Sequence, residues 1–464
     1  MTALGDDGPV VIVGAGLAGT VLALYLARRG VDVELYESRP DLRRAEFDGN
    51  RSINLALATR GKVALEEVGV LDQVADIVIP MAGRIVHADG EVTTQPYGND
   101  GQVIDSVSRS DLNAILLDAA EATGRIAVHF DRHLQALDLD RRTATFSPYR
   151  EPTAATTVPF GNVLAVDGAT SSARPLILAA NGGTATVEPL EHGYKELEIP
   201  PAVDGGFRLE EGGLHIWPRG ELMLIALANP EGDFTATLFM PHRGAPDRGA
   251  RDGFDAVDDP EAVTAFFERH FPDVIGLIGA EELQRQWRTN PVGDLATVRV
   301  DRWALDERAV LVGDAAHAIV PFHGQGMNAG MESCRLLDRA IAAHPDDTAT
   351  AFATFAAGRR PDADAIADMA IDNYVEMRSD VMDPDYLLRR DLALALEERF
   401  PDRIAARYGM VTFTTMPYAE VVARNERQQE VFRTLIDTAT DLDDVDWARA
   451  ERLVDDLGPL PSWI

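Results

Sequence analysis

Val10-Val11-Ile12-Val13-Gly14-Ala15-Gly16-Leu17-Ala18-Gly19 stands near the head of the chain, and its reading decides the fold. It opens an uncharged run of 18 residues, Val10 to Ala27, long enough to be mistaken for a membrane span or a signal-peptide core. Two features oppose that reading. Met1 to Pro9 carries two aspartates and no lysine or arginine, whereas a signal peptide needs a basic leader. The run is also punctuated by glycines in the spacing G-x-G-x-x-G directly after a strand-like segment. Alone, that spacing is a Gly-rich turn in any protein. Here an apolar helix follows from Val21 to Leu26 and closes on Arg28-Arg29-Gly30, with basic residues at the negative end and a glycine for the left-handed cap. Val31 to Tyr36 then alternates as a second strand and delivers Glu37, 18 residues past Gly19. That spacing suits an acidic side chain accepting hydrogen bonds from ribose hydroxyls. Gly14 permits the tight turn, Gly16 lets the backbone approach a pyrophosphate, and Gly19 lets helix and strand pack closely, with Leu17 and Ala18 between them. The pyrophosphate sits on the helix N-terminus, which supplies positive potential without a charged side chain.

The rest of the composition bounds the answer. The chain has 464 residues, 46% hydrophobic and 26% charged, with 43 Lys+Arg against 76 Asp+Glu and a formal net charge of -33. Such a chain is globular and long enough for about three domains of roughly 150 residues, or one large composite. Its charge argues against nucleic acid or an anionic membrane as partner, because phosphate binding needs clustered cations. Solubility or a salt-tolerant host accounts for the acidity as well. The single cysteine, Cys334, excludes an intramolecular disulfide or a thiolate metal cluster, so no metal is expected and a reducing cytoplasm is.

FAD and NAD share the N-terminal fingerprint, so later segments must discriminate. Val163 to Val166 runs into Asp167-Gly168-Ala169-Thr170-Ser171-Ser172-Ala173-Arg174, and Ala309 to Val312 runs into Gly313-Asp314-Ala315-Ala316-His317. Each by itself is an ordinary strand-to-turn junction. With the fingerprint they resemble the three signatures of the single-component FAD-dependent aromatic hydroxylases. In that group Asp314 would bind the flavin ribitol, and the Asp167 motif would serve both the flavin and the nicotinamide side. No second G-x-G-x-x-G opens a βαβ unit, so the resemblance implies FAD as resident cofactor and NADPH as a visiting reductant.

The likeness narrows further. Arg51-Ser52-Ile53-Asn54-Leu55-Ala56-Leu57, Leu214 to Arg219, Thr237-Leu238-Phe239-Met240-Pro241, Gly313 to Pro321 with Gly324 to Gly330, Asn373 to Arg378 and Tyr408 to Phe413 resemble the kynurenine 3-monooxygenase family. Mitochondrial members of that family continue into a C-terminal membrane anchor. Here Ala439 to Ile464 is rich in Asp and Glu, so the chain is similar to the soluble bacterial form and no membrane association is expected. The resemblance implies hydroxylation of L-kynurenine to 3-hydroxykynurenine through a flavin hydroperoxide.

The expected fold is α/β: a Rossmann-type FAD domain with an inserted antiparallel-sheet substrate domain and a C-terminal helical region. The FAD domain is expected to be discontinuous over 1–75, 102–185 and 290–375, with the sheet domain over 76–101 and 186–289 and the helices over 376–464. Leu222 to Ala228 and Phe234 to Met240 flank Asn229-Pro230-Glu231-Gly232-Asp233, a hairpin signal. The first strand is apolar on both faces, and the second places Thr235, Thr237 and Phe239 opposite Phe234, Ala236 and Leu238. A buried sheet roofing a pocket follows. Gly244 to Asp259 reads as a surface loop, and Leu387 to Arg433 as helical.

By the resemblance, Arg84 pairs with the substrate carboxylate, which suits a guanidinium that binds both oxygens and stays charged when desolvated. Tyr97, Asn373 and Tyr408 are polar partners at the amino-acid end, with Glu376 near it; Phe239 and His323 wall the ring. Taken without the family, Tyr97 and Tyr408 are core tyrosines with satisfied hydroxyls, and His323 is a histidine packed beside the flavin. Arg39 and Arg109 are flavin-contacting arginines, and Ala56 lies at the flavin. The segment Gly324 to Gly330 would open a helix whose amides, at Gly326, Met327 and Asn328, point at the flavin pyrimidine. His317 reads as structural. No strong catalytic base is demanded, because the aromatic amine activates its own ring.

Rival readings are a hydroxylase acting on a modified kynurenine or another aromatic amino acid, left open by Ala82-Gly83 and the loop after Pro241, and a non-catalytic FAD-binding protein. A flavin-dependent halogenase is disfavoured, since none of the five tryptophans stands two residues from another. A homodimer is compatible with the sequence but not demanded by it.

Overall fold

A computed structural model describes residues 3–44, 54–88, 90–98, 101–149, 151, 153–244, 252–379, 384–436 and 441–460. Arg51-Ser52-Ile53 of the first kynurenine-hydroxylase-like stretch, residues 245–251 of the expected loop and residues 439–440 and 461–464 of the acidic tail lie outside the described residues.

The strand Val10–Val13 is buried throughout and lies between two parallel neighbours, with Ile12 opposite Leu164 of Asn162–Ala165 and Leu35 of Val33–Tyr36. A strand flanked in this way is covered on both faces and must be apolar on both, which is why it reads as an unbroken run. The remaining strands of the sheet are Ile126–His129 beyond Val33–Tyr36, and Ala309–Leu311 then Ala304–Leu305 beyond Asn162–Ala165. The helix Leu17–Arg28 buries 10 of its 12 residues. The apolar run is therefore one central strand and one helix enclosed by its neighbours. Among the described residues no helix is long and apolar enough to cross a membrane.

A seven-stranded sheet forms the second layer, in the order Val292–Val300, Ala185–Ile199, Phe234–Pro241, Leu222–Ala228, Gly213–Arg219, Gly83–Ala88, Glu91–Pro96. Its pairs are antiparallel except where Gly83–Ala88 runs parallel to Gly213–Arg219. The expected hairpin is present, with Met223 opposite Phe239 and Leu224 opposite Leu238. Period-two alternation divides its side chains. Leu222, Leu224, Phe234, Ala236 and Leu238 join Phe267, Phe271 and Trp287 in one core, while Met223 and Phe239 join Phe322 and Tyr374 in another. The first core is closed by helices Pro260–His270, Pro272–Ile278 and Ala280–Thr289, which the sequence reading did not foresee inside 186–289. The described part of Gly244 to Asp259 contains a 3-10 turn, Phe254–Ala256. A smaller sheet, Asn54–Leu57, Ile104–Ser108 and Val78–Met81, stands beside the large one.

The long helix Thr348–Ser379 leads into Pro384–Arg399, Arg407–Phe413, Tyr418–Ile436 and Trp447–Asp455. Leu392 and Leu396 of the expected helical stretch pack with Val431, Phe432 and Leu435 in a separate core. Thus the α/β architecture with an inserted sheet and a helical C-terminal region is the one observed.

Candidate active site

The glycines of the fingerprint have different duties. Gly14 sits at φ +103°, and a Cβ there would meet Val166 O at 2.6 Å; a Cβ on Gly19 would meet Gly14 O at 1.9 Å. Both are required for the strand, the turn and the helix to touch. At Gly16 nothing lies within 4 Å of the added carbon, so this glycine faces open space. The helix that follows has no side-chain cap and no acidic residue in its first turn. Its leading amides are left for an outside acceptor. Leu17 is buried, and Ala18 packs towards Gly313 and Gly330.

Glu37 closes the second strand. Its Oε2 accepts from Ala15 N at 3.0 Å, and its Oε1 accepts from Arg39 N at 2.9 Å and Arg39 Nε at 2.8 Å. Burial works against its charge, but Arg39 and the two backbone amides outweigh it and hold the carboxyl below its ordinary range. Asn113, which sequence reading passed over, donates to Ala15 O at 3.1 Å and pins the glycine loop from a separate helix. An asparagine in a helix carries no sequence signal of such a role.

The two aspartates flagged in the strand-to-turn junctions behave differently. Asp167 accepts from Ser171 Oγ at 2.5 Å, Ser172 N at 2.7 Å and Ala173 N at 3.0 Å. Its carboxylate caps the helix Ala173–Asn181, and the backbone beside it, at Val166 and Asp167, is what approaches Gly14. Asp314 has no such local employment. Burial pushes its carboxyl up to about 6, with Arg109 drawing it back down. A carboxyl raised by enclosure within a cleft is a candidate functional group. Arg109 itself is exposed at the start of Arg109–Ala122 and also acts on Tyr194.

At the other end, Gly324 takes φ +67° with Ala56 against it, and nothing lies within 4 Å of a Cβ built on Gly326. The helix Gly326–Ala343 again begins with no side-chain cap and no acidic residue. Asn328 spends its side chain on structure: Oδ1 accepts from Ala58 N at 2.9 Å, and Nδ2 donates to Ala56 O at 2.8 Å and Gly324 O at 2.9 Å. Met327 packs on the main core. Two uncapped helix N-termini, each with a glycine open to the outside, fit the anionic groups of a dinucleotide flavin.

Residues far apart in sequence gather beside Ala56 in a second cluster. Arg84, on Gly83–Ala88, holds its guanidinium carbon 4.7 Å from the centre of the Tyr408 ring and 5.9 Å from that of Tyr97. The two tyrosine rings stack at 5.6 Å, and His323 stacks on Tyr408 at 5.2 Å with 12° between planes. Burial opposes the charge of Arg84, yet Tyr408, Tyr97 and Glu376 more than offset it and keep it a cation. Arg84 Nε is buried without a hydrogen-bond partner. Such an orphaned donor is rare in a folded interior and fits a ligand carboxylate. Burial pushes the Tyr97 hydroxyl well above its usual range and His323 down to about 3, so the histidine is neutral; its Nδ1 also lacks a partner.

Phe239 lies 5.0 Å from Phe322, which stacks on Tyr374 at 3.9 Å, so Phe239 belongs to a wall of three rings, while His323, expected beside Phe239, stacks on Tyr408. Asn373 Nδ2 donates to Phe322 O at 2.8 Å and braces that wall. Glu376 accepts from Arg407 Nη2 at 3.1 Å. Arg407, Phe322 and Tyr374 were not singled out in the sequence, although each adjoins a residue that was. His317, read as structural, bonds Ser333 Oγ at 2.9 Å, stacks on Trp303 and is held by burial down to about 3. Among the described residues there is no cluster of three groups able to hold a metal ion.

The family model described as FAD binding domain matches residues 7–197 and 215–370. The kynurenine 3-monooxygenase of Stenotrophomonas maltophilia (strain K279a) is 46% identical over 442 residues, 95% of each chain. That of Xanthomonas campestris pv. campestris (strain 8004) is 44% identical over 456 residues, 98% of each chain. Among solved structures, the tetrameric form of 2-methyl-3-hydroxypyridine-5-carboxylic acid oxygenase is similar with TM-score 0.62 at 21% identity, over 82% of this chain and 95% of that one. P. aeruginosa PqsL in complex with 2-aminobenzoylacetate is similar with TM-score 0.63 at 17% identity, over 80% of this chain and 96% of that one. These structures share the fold, and the curated relatives share the sequence along nearly its whole length. The chain therefore belongs to the kynurenine 3-monooxygenase family of FAD-dependent monooxygenases.

Proposed function

We propose that the protein hydroxylates L-kynurenine to 3-hydroxykynurenine, using FAD as resident cofactor and NADPH as transient reductant. The observation that carries the substrate reading is Arg84, a half-buried arginine whose Nε is buried and unpartnered, with Tyr97 and Tyr408 beside its guanidinium. When bound, FAD takes a hydride from NADPH and activates dioxygen for transfer of one oxygen atom to the ring. The protein's part is to bind, orient and exclude water.

Arg84 holds the amino-acid carboxylate through paired hydrogen bonds, and the hydroxyls of Tyr97 and Tyr408 complete that end. Glu376, already engaged by Arg407, would act on the substrate ammonium through its remaining charge. Phe239 and its neighbours hold the aromatic ring flat, and neutral His323 adds a ring face without an added charge. Around the flavin, Gly14 to Gly19 receive the pyrophosphate and Glu37 with Arg39 the adenosine side. Asp314 and Arg109 would hold the ribitol and the amides of Gly326 to Asn328 the pyrimidine, with Ala56 and the Asp167 turn beside them. We assign the flavin domain to 1–75, 102–185 and 290–375, the substrate sheet domain to 76–101 and 186–289, and the helical domain to 376–464. A cytoplasmic location and a homodimer complete the proposal.

Incubation of the purified yellow protein with NADPH, L-kynurenine and labelled dioxygen tests it. One labelled atom in 3-hydroxykynurenine and accelerated NADPH oxidation are expected. Product from a ring-substituted kynurenine but none from kynurenine would move the substrate, and failure of NADPH to reduce the flavin anaerobically, with and without aromatic amino acids, would favour a non-catalytic FAD-binding protein.

A further inference from the structure

Behind the pocket lies a buried charge network that the proposed chemistry does not use. Arg60 and Arg359 are each 1% exposed and Glu332 is 4% exposed. Arg60 Nη1 meets Glu332 Oε1 at 2.5 Å, and Arg359 Nη1 meets Glu332 Oε2 at 2.8 Å. These three residues come from three helices, Thr59–Val68, Gly326–Ala343 and Thr348–Ser379. Arg60 also donates to Met416 O and, at 3.3 Å, to Val411 O, so it fastens the chain on either side of the turn after Arg407–Phe413.

Both guanidinium groups face one ring. The Arg60 guanidinium carbon is 3.8 Å from the centre of the Tyr418 ring, and that of Arg359 is 5.4 Å away. Tyr418 is fully buried, and its hydroxyl donates to Gln325 Oε1 at 2.9 Å. Gln325, 1% exposed, immediately precedes Gly326 and is the N-cap of the helix presenting its amides to the flavin. Its carbonyl accepts from Ala329 N at 2.7 Å, the first turn of that helix.

We propose that Tyr418 is a positioning residue: clamped by Arg60 and Arg359, it fixes Gln325 and so sets the aim of the first-turn amides of Gly326–Ala343 at the flavin pyrimidine. Docking of the C-terminal helices is thereby linked to the flavin's electrostatic environment, and through Arg60 to the segment that carries Tyr408. The physical basis is that a buried side chain of Gln325 has lost its water, so its orientation follows its available donor. A small rotation of the N-cap turns the amides whose dipole favours the anionic reduced flavin.

This inference rests on the flavin reading above, and the experiment separates the two. Tyr418→Phe keeps the ring between the arginines and removes only the hydroxyl; Gln325→Ala removes its acceptor; the third variant combines them. The readouts are FAD dissociation constant, visible flavin spectrum, midpoint potential and the rate of anaerobic reduction by NADPH, together with thermal melting. In Tyr418→Phe, flavin reduction should slow roughly threefold to tenfold, the range of one hydrogen bond. The spectrum and potential should shift and the dissociation constant for kynurenine hold, while the melting temperature falls by no more than about a few degrees, the cost of one buried hydrogen bond. The double variant should match Gln325→Ala within about twofold, because both remove one interaction. Unchanged spectrum, potential and reduction rate in Tyr418→Phe would overturn the inference, as would fully additive effects in the double variant. A colourless wild-type protein that does not bind added FAD would overturn the flavin reading and this inference with it.

Discussion

In the proposed function the flavin cleft and the substrate pocket both attract anions within a chain of net charge -33, and they would do so by opposite means. The cleft relies on backbone: two uncapped helix N-termini approached through Gly16 and Gly326. The pocket as proposed would rely on one side chain, Arg84, which meets Tyr97 and Tyr408 from separate parts of the chain. Backbone sites survive changes of side chain but not of glycine. Side-chain sites survive neither loss of the cation nor a shift of the helix opposite. The difference teaches where each is vulnerable.

The sharpest test lies within the fingerprint. Gly19→Ala puts a carbon 1.9 Å from Gly14 O and should destabilise the fold by more than ~3 kcal/mol, read by denaturant unfolding of the apoprotein. Gly16→Ala meets nothing of the protein itself, so melting of the apoprotein should hold while the FAD dissociation constant rises roughly tenfold or more by titration. Equal effects of the two on apoprotein stability would erase the distinction between packing and cofactor glycines. In the pocket, Arg84→Ala should raise the kynurenine dissociation constant roughly tenfold or more, from the ~1.5–3 kcal/mol of a charged hydrogen bond. Arg84→Lys should recover little of it, because an ammonium lacks the paired donors. Unaltered binding in both would remove Arg84 from the site.

A smaller effect concerns Asp314, whose folded-state value of about 6 lies above the ~3.9 of an unfolded aspartate. The folded apoprotein holds this proton longer than the unfolded chain. Its contribution to stability is complete below the unfolded value and is lost as pH rises through about 6. Asp314→Asn should therefore stabilise the apoprotein at pH ~7.5 relative to pH ~5, on the order of 1 kcal/mol, while weakening FAD. A stability difference between the two pH values identical to that of the wild type would refute the assignment. The smallest effect is global: modest salt should raise the NADPH association rate about twofold by screening the acidic surface. A steady fall from low salt upward would mean that local cations dominate the encounter.

Legibility in the sequence followed the same division. The cleft's elements are local, a strand, three spaced glycines, a helix and Glu37, so their order is their geometry, and Val10 to Glu37 could be read residue by residue. The alternation of Phe234 to Met240 likewise foretold which face Phe239 takes, since period two leaves no choice. The pocket was legible only through family resemblance. Nothing in the spacing of Arg84, Tyr97, His323 and Tyr408 says that they meet. Tyr97 and Tyr408, which composition alone would treat as core tyrosines, are placed against the guanidinium of Arg84, whose Nε has no hydrogen-bond partner. Asp167 and Asp314 occupy similar strand-to-turn contexts, yet one caps its own helix and the other is enclosed, because the local turn at Ser171 to Ala173 reaches only the first.

The sequence by itself determined the class of fold and the strand, glycine turn and helix of Val10 to Arg28, because these depend on contacts within a few residues. FAD over NAD came from the family resemblance, and the approach that forbids a Cβ at Gly14 comes from Val166, far along the chain. Only the tertiary structure decided that Glu376 is engaged by Arg407, that Asn328 spends its side chain on the neighbouring strand, and that Arg60, Arg359 and Tyr418 stand behind Gln325. Those facts arise from helices packed together from distant parts of the chain, where burial removes water and makes each polar group depend on whichever partner the packing supplies.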